Sequence, residues 1–296
     1  MLRNIAFHGY TLWLFTYSDL KTMVFPSTFF ATSIYLAKEI SQPDHDIPRI
    51  TGRLLSRIPQ TLLWTWINCL AFNVNNQRLP HAIEEDSLNK LWRPMPSKRL
   101  TINQANLLAA VVYPIAVLSS LTLTRGLISS IFLVLFGYLY NDLRFGDHSI
   151  ISRNILNACG FTSFAAGALD TMAGTFFHSN MIAWLAVIGL VILTTVHIQD
   201  MYDQIGDAAA GRLTVPLVFG DIIARITIVL PVLVWSLVCP RYWDVKFIGY
   251  GTVGVLGVVV VMRLLLVRTV KGDRNTFIIY NFWLASIYSL PLIAFM

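Results

Sequence analysis

The chain has 296 residues, of which 55% are hydrophobic and only 13% are charged, and its mean hydropathy is +0.62. Because soluble domains carry roughly 25% charged residues, this composition argues against an ordinary soluble protein and favours a helical membrane bundle. The net charge of +6 comes without a long Lys/Arg run or a basic aromatic platform. Anionic lipid headgroups or a phosphorylated small molecule are therefore better partners than nucleic acid.

Apolar segments long enough to cross a bilayer recur along the whole chain. They predict an all-α, polytopic membrane protein with nine transmembrane helices in a single domain, residues 1–296. The predicted spans are 20–38, 55–77, 102–121, 127–144, 151–175, 181–203, 218–239, 245–267 and 276–295. A polar connector at 39–54 contains Pro43 and Pro48, which are typical helix breakers.

Two polar clusters follow the second and the sixth predicted spans. The first contains Asn73, Asn76, Glu84-Glu85-Asp86, Lys90 and Arg93, and the second contains Asp200, Asp203, Asp207 and Arg212. Carboxylates at a membrane boundary are costly unless something pairs with them. Since each cluster mixes acidic and basic residues, and both fall at the same face of the predicted bundle, the pattern predicts one shared site.

The second cluster has the spacing of a divalent-cation site. Asp200 and Asp203 are three residues apart, so a helical end places both side chains on one face, and Asp207 can fold back toward them. Hard oxygen ligands suit Mg²⁺, which tends to bind substrate phosphates as well. The alternative for an isolated pair of this kind is a solvated helix end.

The first cluster is predicted to form the opposing wall of the site. Its candidate metal or catalytic residues are Asn76, Glu85 and Asp86, with Asn73 as a weaker neutral group. The alternative for the acidic run is a solvated loop. The residues expected to neutralise a diphosphate are Lys90, Arg93, Arg153 and Arg212, because guanidinium groups bind phosphate oxygens in pairs.

Charge also predicts the orientation in the membrane. With nine spans, both clusters lie on the same side as residue 1, and that side carries most of the Lys and Arg residues. By the positive-inside rule, the loops that carry the clusters are expected to face the cytoplasm.

The segment Asp200-x-x-Asp203-x-x-Gly206-Asp207-x-x-x-Gly211-Arg212-x-Thr214-x-Pro216 closely resembles the second Asp-rich motif of the UbiA-type intramembrane prenyltransferases. The first motif departs from that family's pattern. Asn73 and Asn76 stand where Asp residues are expected, and several residues are inserted before Glu84-Glu85-Asp86. This altered version, together with segments 18–22 and 140–142, resembles a fungal branch that contains membrane-bound terpene cyclases.

The resemblance implies an enzyme that uses Mg²⁺ to ionise an isoprenyl diphosphate such as farnesyl or geranylgeranyl diphosphate. In the cyclase branch the cation then cyclises, with Lys21 and Asn73 among the groups that hold the diphosphate. The main alternative is a prenyltransferase that adds the isoprenyl group to an aromatic or other acceptor, and a remote alternative is a transporter. If the organism is fungal, the resemblance implies a multi-pass protein of the endoplasmic reticulum.

Aromatic residues in the predicted spans are candidates to stabilise a carbocation through their ring faces. The set comprises Trp64, Phe72, Tyr138 and Phe161, with Trp66 and Phe164 as further members. The alternative for each of them is packing in the bundle core or at the membrane interface.

Overall fold

The structure is a computed structural model, and it describes residues 2–42, 46–122, 124–174 and 179–296. Within these ranges the chain is helical and contains no strand. The α-helices are α1 (Leu2–Thr16), α2 (Phe25–Ile40), α3 (Ile47–Gln77), α4 (Pro80–Asn89), α5 (Ile102–Thr122), α6 (Leu127–Gly137), α7 (Phe145–His148), α8 (Ile150–Ala173), α9 (Ser179–Thr195), α10 (Gln204–Ala209), α11 (Val215–Phe219), α12 (Asp221–Tyr242), α13 (Phe247–Leu266), α14 (Val270–Tyr288) and α15 (Leu290–Ile293). Leu20–Val24 and Tyr138–Asp142 form π-helical turns, and Val196–Tyr202 forms a 3₁₀-helix.

The apolar helices confirm that the protein is an integral membrane protein. Among the described residues, four helices are long and apolar enough to cross a membrane: Ile102–Thr122, Asn180–Tyr202, Asp221–Tyr242 and Phe247–Leu266. Each of the nine predicted spans overlaps an α-helix of at least 11 residues. Nine membrane crossings nevertheless stay a prediction, because the other helices do not combine that length with that apolar character.

The second predicted span begins too late in the chain. α3 starts at Ile47 rather than at residue 55, because Pro48 lies in the first helical turn, where its missing N–H costs nothing. The Asp46 side chain caps this end by accepting a hydrogen bond from the Arg49 backbone N–H at 3.3 Å. Pro43, the other predicted breaker, and the end of the predicted span 151–175 lie outside the described residues.

An additional helix, α1, precedes the first predicted span. Phe15 of α1 is fully buried in a cluster with residues of α3 and α5, including Leu70 and Ala105. Arg99, which precedes α5, holds the outer part of α1: its Nε donates to Thr11 Oγ1 at 3.0 Å, and its guanidinium lies 4.1 Å from the centre of the Phe7 ring. With 15 residues, α1 is too short to be recognised as a membrane span.

The main core lies between α2, α3, α8, α9, α12, α13 and α14. Some of its buried polar groups are paired, and the Trp283 Nε1–H donates to Ser236 Oγ at 2.9 Å. The buried Arg225 joins α12 to α14 through Asp273 at 2.8 Å and also binds Asp221 at 2.8 Å. This ion-pair cluster holds helices together and is separate from the two sequence motifs.

Candidate active site

Two short helices bring the predicted polar clusters together. α4 carries the acidic run of the first cluster, α10 carries Asp207 of the second, and the two helices pack against each other. Gly206 allows this approach, since a Cβ there would lie 2.5 Å from Asn89 Nδ2 and 3.0 Å from Glu85 Cγ. The glycine of the second motif therefore has a packing role that any larger residue would disturb.

Asp200 lies on the 3₁₀-helix Val196–Tyr202 that follows α9, and Asp203 caps the C-terminal end of this helix. Because a 3₁₀-helix has three residues per turn, side chains at i and i+3 are eclipsed, and both carboxylates reach the same cavity. Asp200 accepts from Arg153 Nη2 at 2.8 Å, and Asp203 accepts from Lys90 Nζ at 2.8 Å. The Asn89 side-chain amide also donates to Asp203. Both carboxylates are therefore bound to residues of other helices.

Arg212 occupies the centre of the acidic groups. Its guanidinium lies 2.5 Å from Glu85, 2.9 Å from Asp147 and 3.1 Å from Asp207. The side chain is nearly buried, so these contacts are little screened by water. Arg212 joins α4, α7 and α10 into one ionic cluster.

The pKa values of the acidic groups in this region are shifted in different directions. Burial raises the pKa of Asp207 to about 7, although the Arg153 guanidinium acts in the opposite direction. Burial also raises the pKa of Asp86 despite Arg93. For Asp147, burial is outweighed by Arg212 and Arg144, which lower its pKa. The charge of Asp207 and Asp86 is thus not fully balanced, and additional positive charge nearby would stabilise their ionised forms.

A cavity of about 600 Å³ opens beside this cluster and continues between the helices. One end is polar and the other is apolar. The predicted site residues in its wall are Lys21, Phe72, Asn73, Asn76, Glu85, Lys90, Arg93, Arg153, Phe161, Phe164, Asp200, Asp203 and Arg212. A charged end joined to an apolar interior suits an amphiphilic ligand with an anionic head.

The two amide residues of the first motif face the cavity but already make hydrogen bonds. Asn76 Nδ2 donates to Asn141 Oδ1 at 2.7 Å. Asn73 Nδ2 donates to the Cys69 carbonyl at 3.0 Å, and Asn73 Oδ1 accepts from Gln77 at 3.3 Å. Asn73 is therefore held within its own helix.

Five predicted site residues lie outside the cavity wall: Asp86, Asp207, Trp64, Trp66 and Tyr138. Asp86 receives two hydrogen bonds from Arg93 Nη1, at 2.8 and 2.9 Å, and so orients a residue that does line the wall. Asp207 contacts Arg212 behind the wall.

Trp64 and Tyr138 do not occupy positions suited to stabilising a cation in the cavity. Trp64 is fully buried behind Phe164, and its Nε1–H donates to Ser120 Oγ at 2.8 Å. Tyr138 is 51% exposed. Residues two positions apart face opposite sides of a helix, and Tyr140 lines the cavity. The Tyr140 hydroxyl accepts a hydrogen bond from Arg153 Nη1 at 2.7 Å.

Several wall or cluster residues were not among the predicted site residues: Asp19, Tyr140, Asp147 and Arg274. Asp147 and Arg274 follow predicted spans whose ends share the side of the two motifs, and that placement was a usable signal. Tyr140 lies within one π-helical turn and Asp19 caps the other. A regular helical periodicity in the sequence does not predict such turns. Helix irregularities of this kind often occur at functional sites.

The rim of the cavity includes Trp13 of α1 and Tyr17, which directly follows this helix. The Tyr17 ring stands edge-on to Trp92 with centroids 5.3 Å apart. All three side chains are partly exposed. α1 thus contributes an aromatic border at the polar end of the bundle.

The residues present fit a magnesium ion that binds together with a phosphorylated ligand. Among the described residues, no three acidic, histidine or cysteine side chains form a ready metal cage. However, Asp200 Oδ2 and Asp207 Oδ2 are buried oxygens without a hydrogen-bond partner. Mg²⁺ keeps several waters and commonly takes only one or two carboxylates plus substrate phosphates, so this donor set fits that mode.

A family model described as the UbiA prenyltransferase family matches residues 50–287. The chain belongs to this family. The match covers both motif clusters and α3 through most of α14, so it includes the described site apart from the segment around Asp19 and Lys21. The match confirms the prediction from sequence that the protein is a UbiA-type enzyme.

Curated relatives of this UbiA protein include cyclases and a transferase. It is 28% identical to the fumagillin beta-trans-bergamotene synthase of Aspergillus fumigatus, over 95% of this chain and 91% of that one. It is 27% identical to a diterpene cyclase of Hericium erinaceus, over 90% and 83%. A polyprenyl transferase of the same fungus is 26% identical, over 90% and 88%.

Solved structures show the same fold. A structure of digeranylgeranylglyceryl phosphate synthase superposes with a TM-score of 0.60 at 17% identity, covering 96% of this chain and 98% of that one. A UbiA homologue from Archaeoglobus fulgidus bound to GPP and Mg²⁺ gives 0.56 at 13% identity, covering 92% and 98%. At these identities the similarity establishes the helical UbiA fold of the chain.

Proposed function

We propose that this UbiA protein is a membrane-bound terpene cyclase that ionises an isoprenyl diphosphate with Mg²⁺ and cyclises the resulting carbocation. The observation that carries the proposal is the cavity, in which a cluster of carboxylates, Lys and Arg opens directly into an apolar, aromatic-lined interior. The named cyclases among the relatives support cyclisation. As further parts of the proposal, residues 1–296 form one domain with nine spans, and the motif loops face the cytoplasm, in the endoplasmic reticulum if the source is fungal.

The head of the substrate would bind at the polar end. Lys90, Arg153 and Arg212 present cationic groups to the cavity, and guanidinium groups can bind phosphate oxygens in pairs. Asp200 and Asp203 are the wall carboxylates best placed to hold Mg²⁺, with Asp207 behind them. The chemistry supplied by bound Mg²⁺ is stabilisation of the negative charge that develops on the departing diphosphate.

The tail would lie in the apolar part of the cavity. When the allylic C–O bond breaks, its electron pair leaves with the diphosphate, and an internal alkene then forms a new C–C bond to the cation. Loss of a proton restores an alkene. The rings of Phe72, Tyr140 and Phe161 line this path, and a ring face can stabilise a desolvated cation by roughly 2 kcal/mol.

The second candidate function is acceptor-dependent prenyl transfer, which the similarity to a polyprenyl transferase supports. A transporter fits less well, because the charged groups gather at one end of the cavity and hold each other in ion pairs. Transporter sites lie typically near the membrane midplane.

Product analysis distinguishes the cyclase from the transferase. Membranes containing the protein are incubated with farnesyl or geranylgeranyl diphosphate, with and without aromatic acceptors, and products are identified by mass. We expect diphosphate release and a hydrocarbon without acceptor, and neither from matched membranes containing Asp203→Asn. A product that contains the acceptor would select the transferase. The absence of diphosphate release from every substrate would refute both enzyme assignments.

A second experiment tests the metal role of the first motif. Glu85→Gln and Asp86→Asn are each expected to raise the Mg²⁺ concentration for half-maximal turnover more than Asn73→Ala does. Glu85 lines the cavity and Asp86 orients Arg93, whereas Asn73 is a neutral group held within its helix. Glu84→Gln is a matched control, because this neighbouring carboxylate is exposed. If only Asn73→Ala changes the Mg²⁺ requirement, the acidic residues of α4 are not part of the metal site.

A further inference from the structure

α8 forms one continuous wall of the cavity from its polar end to its apolar end. Arg153, Leu156, Gly160 and Phe164 all line the cavity, and their spacing of three or four residues places them on one face of the helix. With a rise of 1.5 Å per residue, the eleven residue steps from Arg153 to Phe164 span about 16 Å. The cavity therefore extends along α8 away from the ionic cluster.

The polar end of this wall is fixed by Arg153. Its guanidinium binds Asp200 at 2.8 Å, the Tyr140 hydroxyl at 2.7 Å and the Gly146 carbonyl at 3.1 Å. A ligand head bound among these groups has a defined position. The distance that a tail can extend from the head then depends on the side chains farther along α8.

Phe164 forms the apolar end of the wall and packs against Trp64. Phe164 is almost completely buried and stands edge-on to Trp64, with ring centroids 6.3 Å apart. Trp64 is held in turn by its hydrogen bond to Ser120, and a Cβ at Gly167 would lie 2.0 Å from its ring. Because Trp64 is held on both sides, Phe164 has little room to retreat and forms a firm end to the cavity.

Gly160 lies between these two ends and leaves the wall open. A Cβ added to Gly160 would meet no atom within 4 Å, although the residue is part of the cavity wall. It lies seven residues, or about 10 Å along the helix axis, from Arg153. A side chain at this position would occupy space in the cavity rather than press on a neighbouring helix.

We propose that Gly160 determines the length of isoprenyl chain that the cavity accepts, by leaving space for the units farthest from the diphosphate. This inference rests on the proposed function. The substrate class is an isoprenyl diphosphate longer than geranyl diphosphate, since a shorter chain would not need the space beside Gly160. Enlarging the residue should exclude longer chains and spare the shortest one.

The test measures kcat/KM for diphosphate release from geranyl, farnesyl and geranylgeranyl diphosphate in wild type, Gly160→Ala and Gly160→Leu. Both substitutions replace glycine in a helix interior by better helix formers, so the fold should be retained. We expect Gly160→Leu to lower the ratio of the longest accepted to the shortest substrate by about ten-fold or more, the order of discrimination that one or two methylene groups produce in a pocket. Gly160→Ala should give a smaller shift in the same direction.

Gly254→Leu is the matched control. Gly254 also has no atom within 4 Å of an added Cβ, but it lies on α13 and does not line the cavity. Its substrate ratio should equal that of wild type. An unchanged ratio in both Gly160 variants would overturn the inference while leaving the proposed function intact.

A binding measurement separates the inference from the enzyme assignment. Thermal stabilisation by isoprenyl thiodiphosphates of three chain lengths is recorded for the same proteins. If wild type releases no diphosphate, the proposed function fails, and a selective loss of stabilisation by the longer thiodiphosphates in Gly160→Leu would still support the inference. Equal stabilisation of wild type and Gly160→Leu by all three would overturn it.

Discussion

Asp203→Ala is expected to abolish diphosphate release while leaving the helical bundle folded. Asp203 lines the cavity on the same face as Asp200 and receives hydrogen bonds from Lys90 and the Asn89 amide. Removing its carboxylate would take away a proposed Mg²⁺ ligand and deprive Lys90 of this ion-pair partner. Loss of one electrostatic group in an active site commonly lowers kcat by about 10²–10³-fold, and the loss of a metal ligand should exceed that.

The measurement is diphosphate release by purified Asp203→Ala and Asp203→Asn, with thermal unfolding as the test of the fold. Asp244→Asn serves as control, because that carboxylate is 94% exposed and contacts only Arg241 in a surface ion pair. Its activity should match wild type. Near wild-type turnover in Asp203→Ala that EDTA removes and Mg²⁺ restores would show that Asp203 is not a required ligand.

Arg212→Ala is expected to lower both stability and activity. The substitution leaves the buried carboxylates of Glu85, Asp147 and Asp207 without their shared partner. Breaking a buried ion pair from one side costs about 3–5 kcal/mol. Arg212→Lys should recover only part of this, because an ammonium group cannot reproduce the planar fork that reaches several carboxylates at once.

Unfolding midpoints and inhibition by inorganic diphosphate are measured for Arg212→Ala, Arg212→Lys and Arg93→Ala. Arg93 pairs with Asp86. Arg93→Ala should therefore lower the unfolding midpoint less than Arg212→Ala does, but it should still weaken inhibition by inorganic diphosphate. Arg241→Ala is the control, since an exposed ion pair contributes about 0–1 kcal/mol. If inorganic diphosphate inhibits Arg212→Ala and Arg93→Ala as strongly as wild type, neither Arg212 nor Arg93 binds the diphosphate.

The second motif was the part of the site most accessible from sequence. Asp200 and Asp203 are close in the chain, so helical spacing alone placed both carboxylates on one face, and the structure has them on one wall. Asp147 was harder to identify, because its role depends on Arg212, which is 65 residues away and reaches it at 2.9 Å. Contacts of that kind follow from tertiary packing and leave no local pattern.

The aromatic residues show a different limit. A composition rich in aromatic residues identifies many candidates, but a shift of two positions separates Tyr138 on the surface from Tyr140 in the cavity. Residues two positions apart face opposite sides of a helix, so only one of the two can face the cavity. The aromatic composition alone does not indicate which one does. The apolar pattern likewise predicted the long helices but not α1, whose stability depends on Arg99 and on the buried Phe15.

The position of α1 has a practical consequence for handling the protein. Trp13 and Tyr17 border the cavity, and both lie at or just beyond the C-terminal end of α1. Trimming α1 to obtain a more compact expression product would therefore remove Trp13 from the cavity border. It would also remove the buried Phe15 and expose Leu70 and Ala105, with which Phe15 packs. Purification and activity measurements should therefore use protein that retains all of α1.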